Sequence, residues 1–109
     1  MGEYYLVIWE KCEESAVNFI KDNGKYGLLL CDRSLGARGN GDEVIAVSRQ
    51  INEQTPIIST SGYGNYQEKA HYANSHLPKS YSPLDAIKKI NRYLPNQHLS
   101  ELIRKIESL

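Results

Sequence analysis

The sequence predicts an α/β fold: an open parallel sheet of about four strands with flanking helices and an extra C-terminal helix. Three observations carry that expectation. Short, nearly continuous apolar runs recur along the chain, YYLVIW at 4–9, YGLLLC at 26–31 and TPIISTS at 55–61. Runs of this kind suit strands covered on both faces, as in a parallel sheet. Capped amphipathic segments separate them, and strand alternating with helix implies βαβ units with right-handed crossovers.

The elements follow in order. After the strand at 4–9, residues 12–23 place Cys12, Ala16 and Ile20 in line, flanked by Val17 and Phe19. Glu13 and Glu14 fall in the first turn and Gly24 just past the end, the pattern of a helix complemented to its dipole. YGLLLC is the next strand. GARGNG at 36–41 reads as a flexible loop. It lacks the GK[ST] ending of a phosphate-cradling loop.

EVIAVSRQI at 43–51 then sets Val44, Ile45, Val47 or Ser48, and Ile51 on one side of a helix. In TPIISTS, Pro56 stands where a strand tolerates proline, at its start. GYGN breaks the strand, and YQEKAHYA at 66–73 predicts a weaker helix with a mostly polar face. SHLPK is a short strand.

The segment 83–94 predicts the best-defined helix. Ser82 caps it, Pro83 takes its first position, and Asp85 meets the dipole. Leu84, Ile87, Ile90 and Leu94 point inward, and Pro95 stops it. The last segment carries Leu99, Leu102, Ile103, Ile106 and Leu109 at helical spacing. Residues 1–96 thus form the main domain, with 97–109 an added amphipathic helix.

A chain of 109 residues is one domain, able to bury about 60–65% of its unfolded surface. Thirteen basic and thirteen acidic residues give zero formal charge. No basic excess attracts nucleic acid or an anionic membrane. No stretch approaches the roughly 20 apolar residues of a membrane span, and the amino terminus lacks the pattern of a signal peptide. Cys12 and Cys31 form no CxxC pair and are expected to be reduced thiols in a cytoplasmic chain, Cys31 as core filler. His71 and His76 are five apart, a poor fit to same-face metal ligation on a helix.

Three polar residues each close a strand-like run: Asp32, Ser61 and Lys79. In open parallel sheets, ligands sit beyond the carboxyl ends of the strands, so the fold brings these three together. An aspartate can carry a phosphoryl group, a hydroxyl can donate a hydrogen bond to it, and an ammonium can offset its charge.

With those residues in register, the chain resembles a receiver domain of the bacterial response regulator type. The matching segments are LLLCDRSLG around Asp32, NGDEVI with Gly41 opening a helix, TPIISTSGY with Ser61-Gly62, and LPKSYSPLDAIKKI around Lys79. The resemblance covers residues 4–95 in order and spacing. The resemblance implies Asp32 as phosphoacceptor, Ser61 and Lys79 as phosphate-binding residues, and Mg²⁺ held in part by Asp32. It also implies a histidine kinase or another signalling protein as partner.

The departures are specific. Receivers open with a strand ending in two adjacent acidic residues that bind Mg²⁺. Here the segment before Asp32 is too short by about one strand and one helix. One alignment makes 4–9 the family's second strand, so the acidic pair is absent. The rival makes LVIWEKCEE the first strand, with Glu10, Glu13 or Glu14 as imperfect replacements. The aromatic that switches rotamer three residues before the lysine is His76 here, a position that lends pH sensitivity. The proline that follows the lysine in a cis bond is Ser80. A cis bond to a non-proline residue costs about 2.5–4 kcal/mol, so Lys79–Ser80 is expected to be trans.

The expectation is a non-enzymatic, degenerate receiver-like domain that works by protein–protein contact. The alternatives are a structural or dimerising pseudo-receiver without phosphorylation, and a small aspartyl-phosphate hydrolase. The hydrolase would need a second aspartate at position 34, which is Ser34. An absent first helix would leave an apolar face for residues 99–109 or a second copy of the chain to cover. Met1 suits a complete product; otherwise the chain is a fragment whose first strand comes from another polypeptide.

Overall fold

The computed structural model describes residues 12–23, 26–62 and 69–108. Their order is α1 (Glu13–Asn23), β1 (Leu29–Asp32), a 3₁₀ turn (Gly36–Arg38), α2 (Gly41–Ile51), β2 (Ile57–Ser61), β3 (Ser75–Pro78), α3 (Pro83–Tyr93) and α4 (Gln97–Glu107). The fold is α/β, as expected. Three parallel strands make one sheet in the order β1-β2-β3. The expected strand at 4–9 lies outside the described residues, as do Glu10 and the choice between the two alignments it decides.

The register fixes which residues share a level. Cys31 stands beside Ser59, and Ser59 beside His76; Asp32 pairs with Thr60, and Ser61 with Pro78. Side chains alternate across a strand, so Leu29 and Cys31 of β1 face the same side as Ile57 and Ser59 of β2. On that side Ile20 of α1 and Val44 and Ile45 of α2 pack with Cys31, Ile57, Ala70 and Ala73 into one core, with Ala16, Val17, Leu29 and Val47 at its margin. Every residue of β2 is buried, as a central strand requires.

Helix α2 ends at Ile51, as its apolar pattern predicts, but begins two residues before that pattern. It opens at Gly41, where the receiver resemblance set it, because Asn40 caps it by accepting from the Asp42 amide at 2.9 Å. Its buried stripe is Gly41, Val44, Ile45 and Ser48. Ile51, expected inside, is 44% exposed at the last residue of the helix. The 36–41 segment is also more constrained than a loop. Leu35 N–H donates to Gly39 O at 3.2 Å, and Ser34 and Asn40 form an antiparallel bridge around the 3₁₀ turn.

The weaker helix expected at 66–73 is not found in its described part. Residues 69–73 are non-helical, with Ala73 N–H donating to Ala70 O at 3.0 Å. A competing network explains this. The Asn74 side-chain oxygen accepts from Ile57 N–H and from Arg49, each at 2.8 Å, while Asn74 N–H donates to Ile57 O at 2.8 Å. Those bonds fix Asn74 beside Ile57 and lead the turn at 70–73 into β3.

Contacts divide the chain into two compact units, and the sheet with α1 and α2 belongs to the one that ends at Ser80. The other holds the described residues from Tyr81 onward. Within it, α3 starts with a full capping box: Asp85 N–H donates to Ser82 Oγ at 3.1 Å, and Ser82 N–H donates to the Asp85 carboxylate at 3.2 Å. Leu84, Ile87, Ile90 and Leu94 are half-buried. Helix α4 pairs with α3 through a Lys88–Glu107 ion pair at 2.9 Å and an Asn91–Ser100 hydrogen bond at 3.0 Å. Among the described residues, no helix is long and apolar enough to cross a membrane.

Candidate functional site

Asp32, Ser61 and Lys79 arrive at the carboxyl end of the sheet by different local routes. Asp32 is the last residue of β1, and the ladder runs one step past it, with Arg33 N–H donating to Thr60 O at 2.8 Å. Ser34 N–H donates to Asp32 Oδ1 at 3.1 Å, which orients the carboxylate. Behind it, the start of α2 comes so close that a Cβ on Gly41 would lie 1.6 Å from the Asp32 carbonyl oxygen. Only a glycine permits that approach.

Lys79 follows β3, and its N–H donates to Ser61 O at 2.8 Å. Its side chain passes Gly62, where a Cβ would meet Lys79 Cδ at 3.6 Å, and its ammonium donates to Asp32 Oδ2. The ion pair is partly open to water, with the lysine side chain 50% exposed and the aspartate 23%. Among the described residues no peptide is cis. The trans Lys79–Ser80 bond therefore leaves Lys79 able to reach Asp32.

Ser61 is almost fully buried, at 2% exposed. Its hydroxyl meets His76 Nε2 at 3.2 Å, while His76 Nδ1 meets the Ser59 hydroxyl at 2.8 Å. Sequence reasoning had both ends of this arrangement and missed Ser59. The signal was present: residues 59 and 61 share a face of one strand, and parallel pairing sets His76 beside Ser59.

The acidic residues near Asp32 have other tasks. Asp42 forms a bidentate pair with Arg33, both contacts at 2.9 Å. Glu13, a candidate replacement for the acidic pair, accepts from Asn40 N–H at 2.8 Å and so ties α1 to the cap of α2. Mg²⁺ takes near-octahedral oxygen ligands, commonly one or two carboxylates with phosphate oxygens and waters. Among the described residues, no group of three or more His, Cys, Asp or Glu side chains gathers to hold a metal. Among the described residues, the donors around Asp32 thus offer one carboxylate, already paired with Lys79.

Two further residues define what the site is not. Burial pushes the Cys31 thiol from an ordinary 9.0 up to about 12, with Asp32 and Asp42 adding to the rise, so it stays protonated. His71 stacks edge-on against Tyr72, with ring centroids 4.5 Å apart.

No protein-family model matches the chain, and no curated protein sequence matches it. Solved structures do resemble it. One is a response regulator receiver protein from Sinorhizobium medicae WSM419, 20% identical over 74% of this chain and 67% of that one, with a TM-score of 0.63. Another is a fusion carrying a yeast Spc42 trimeric coiled-coil segment, 18% identical over 91% of this chain and 73% of that one, with a TM-score of 0.64. At such identities the likeness speaks for architecture, and the fold is receiver-like.

Proposed function

We propose that this chain is a receiver-like signalling domain in which Asp32 is the phosphoacceptor position and Ser61 and Lys79 are its phosphate-binding partners. The observation that carries the reading is the Asp32–Lys79 ion pair at the carboxyl edge of a parallel sheet, next to the strand end that bears Ser61. In this reading a carboxylate oxygen of Asp32 attacks the phosphorus of a phosphohistidine or small phosphodonor. The bond to the leaving group breaks, and the leaving nitrogen or oxygen takes the bonding electrons. Lys79 then turns from the carboxylate to the new phosphate oxygens. The group brings a charge of about −1.5 to −2 in place of one carboxylate charge, and that change biases the 62–76 face toward or away from a protein partner.

The fitted partner is a histidine kinase or another signalling protein, with a second copy of the chain as the alternative. The reading is non-enzymatic, since Ser34 stands where an aspartyl-phosphate hydrolase needs its second acid. A second reading, a degenerate domain that binds partners without phosphorylation, is favoured by the Asp42–Arg33 pair and the Glu13–Asn40 bond, which engage other carboxylates away from Asp32. One experiment separates the two. Wild type and Asp32→Asn are exposed to a small phosphodonor with Mg²⁺ and weighed intact. The phosphoacceptor reading expects a gain of one phosphoryl group in wild type alone; no gain, or an equal gain in both, leaves the second reading.

A further inference from the structure

We infer that His76 is a positioning residue for Ser61, the last link of a one-way hydrogen-bond chain that holds the Ser61 hydroxyl as a donor to an oxyanion. The ligand part of this inference rests on the phosphate-site reading above; the chain itself rests on four distances and the donor inventory of the groups.

The direction is set at one end by a group with no choice. A backbone N–H only donates, and Ala70 N–H donates to Ser59 Oγ at 3.0 Å. The Ser59 proton then has two acceptors in reach: His76 Nδ1 at 2.8 Å and Ser75 O at 3.4 Å. The first distance is ordinary for a hydroxyl donor and the second lies beyond the usual range, so the proton goes to the ring. A neutral imidazole that accepts at Nδ1 carries its proton at Nε2. That N–H faces the Ser61 hydroxyl at 3.2 Å. Ser61 therefore accepts from the ring and gives its own proton to another acceptor.

The opposite arrangements are worse satisfied. If Nδ1 carried the proton, as in the other tautomer or the imidazolium, Ser59 would receive two donors and be left only the 3.4 Å contact for its own. In the other neutral tautomer, Nε2 would also consume the Ser61 proton. Each bond in such a chain polarises the next, so an anion accepting from Ser61 tightens the links back to Ala70. The histidine thus does something an aromatic switch residue at this position does not: it fixes which way a buried hydroxyl points.

The test uses the full chain. Long-range ¹⁵N–¹H spectra of the His76 ring at neutral pH are expected to show Nε2 protonated and Nδ1 bare; the reverse tautomer or an imidazolium overturns the inference. Ser59→Ala is expected to bring in the other tautomer, and an unchanged ring would show that Ser59 does not set it. Phosphoryl acceptance from a small phosphodonor is then compared in His76→Gln, whose amide N–H reaches the Nε2 place, and His76→Phe. Gln is expected to retain acceptance and Phe to lose roughly 2- to 12-fold, the worth of one hydrogen bond; equal behaviour of the two folded variants overturns the positioning role. If wild type gains no phosphoryl mass, the acceptor reading at Asp32 falls. The ring spectra still decide the chain, since they need no phosphorylation.

Discussion

A Cβ on Gly41 would sit 1.6 Å from the Asp32 carbonyl oxygen and 2.7 Å from its carbon, inside any tolerable contact. Gly41→Ala is expected to cost about 3 kcal/mol or more in urea unfolding, in the class of substitutions that force backbone apart; a loss under about 1 kcal/mol would mean α2 can slide away from β1. Gly62 makes the opposite case, since its Cβ would meet Lys79 Cδ at an ordinary 3.6 Å. Gly62→Ala is expected to raise stability by about 0.4–1 kcal/mol through the unfolded chain, with the Lys79–Asp32 pair intact; destabilisation would refute that geometry. The cysteines also separate at this scale. Cys31 keeps its proton in the fold up to about 12, against an ordinary 9.0. The unfolded chain releases that proton first, so stability falls as pH climbs from about 9 toward about 12. Cys31→Ala should flatten that alkaline slope, and an equal slope in the variant would disprove the cause. The Asp32–Lys79 meeting was legible from two strand ends in the sequence. The Arg33–Asp42 clamp and the Glu13 tie to Asn40 were not, because nine- and 27-residue separations acquire meaning only once α1 and α2 lie side by side.

The helices divide between what local chemistry dictates and what packing decides. Ser82, Pro83 and Asp85 announce α3, and the capping box forms as those residues require. Ser82→Ala is expected to cost about 1 kcal/mol, and Asp85→Ala should add little on top of it because both act through one box. Fully additive losses would mean that the two residues cap independently. The failed helix at 66–73 has a cause that propensity does not record. Arg49 donates to the carbonyls of Glu53 at 2.8 Å, Thr55 at 2.9 Å and Tyr72 at 3.1 Å, and to Asn74. One guanidinium at the end of α2 thereby organises the turn entering β2 and the segment entering β3. Arg49→Lys, a point donor in place of a planar fork, is expected to destabilise by about 1–3 kcal/mol in denaturant titration, the cost of carbonyls left unpaired. An unchanged midpoint would show that water replaces it.

Across the molecule, the parallel sheet follows from apolar runs alternating with helices, and that much was readable in advance. The division at Ser80 and Tyr81 leaves no mark in the sequence, since nothing in an amphipathic stripe states which neighbour it meets. Amide exchange should therefore be slowest across Ile57–Ser61, the strand paired on both sides and buried throughout; slower exchange in β1 would contradict the central placement. That same strand carries hydroxyls at three successive buried positions, each with a partner on the β3 strand: Ser59 and Ser61 on His76, and Thr60 on the Leu77 carbonyl. A slip of one residue would turn each hydroxyl to the wrong face and leave it dry and unmatched. Hydrophobic strands forgive a misaligned neighbour more readily than this one does. The polar middle of the sheet therefore acts as a proofreading step in assembly, admitting β3 at one offset and rejecting any other strand that cannot answer the same three hydroxyls.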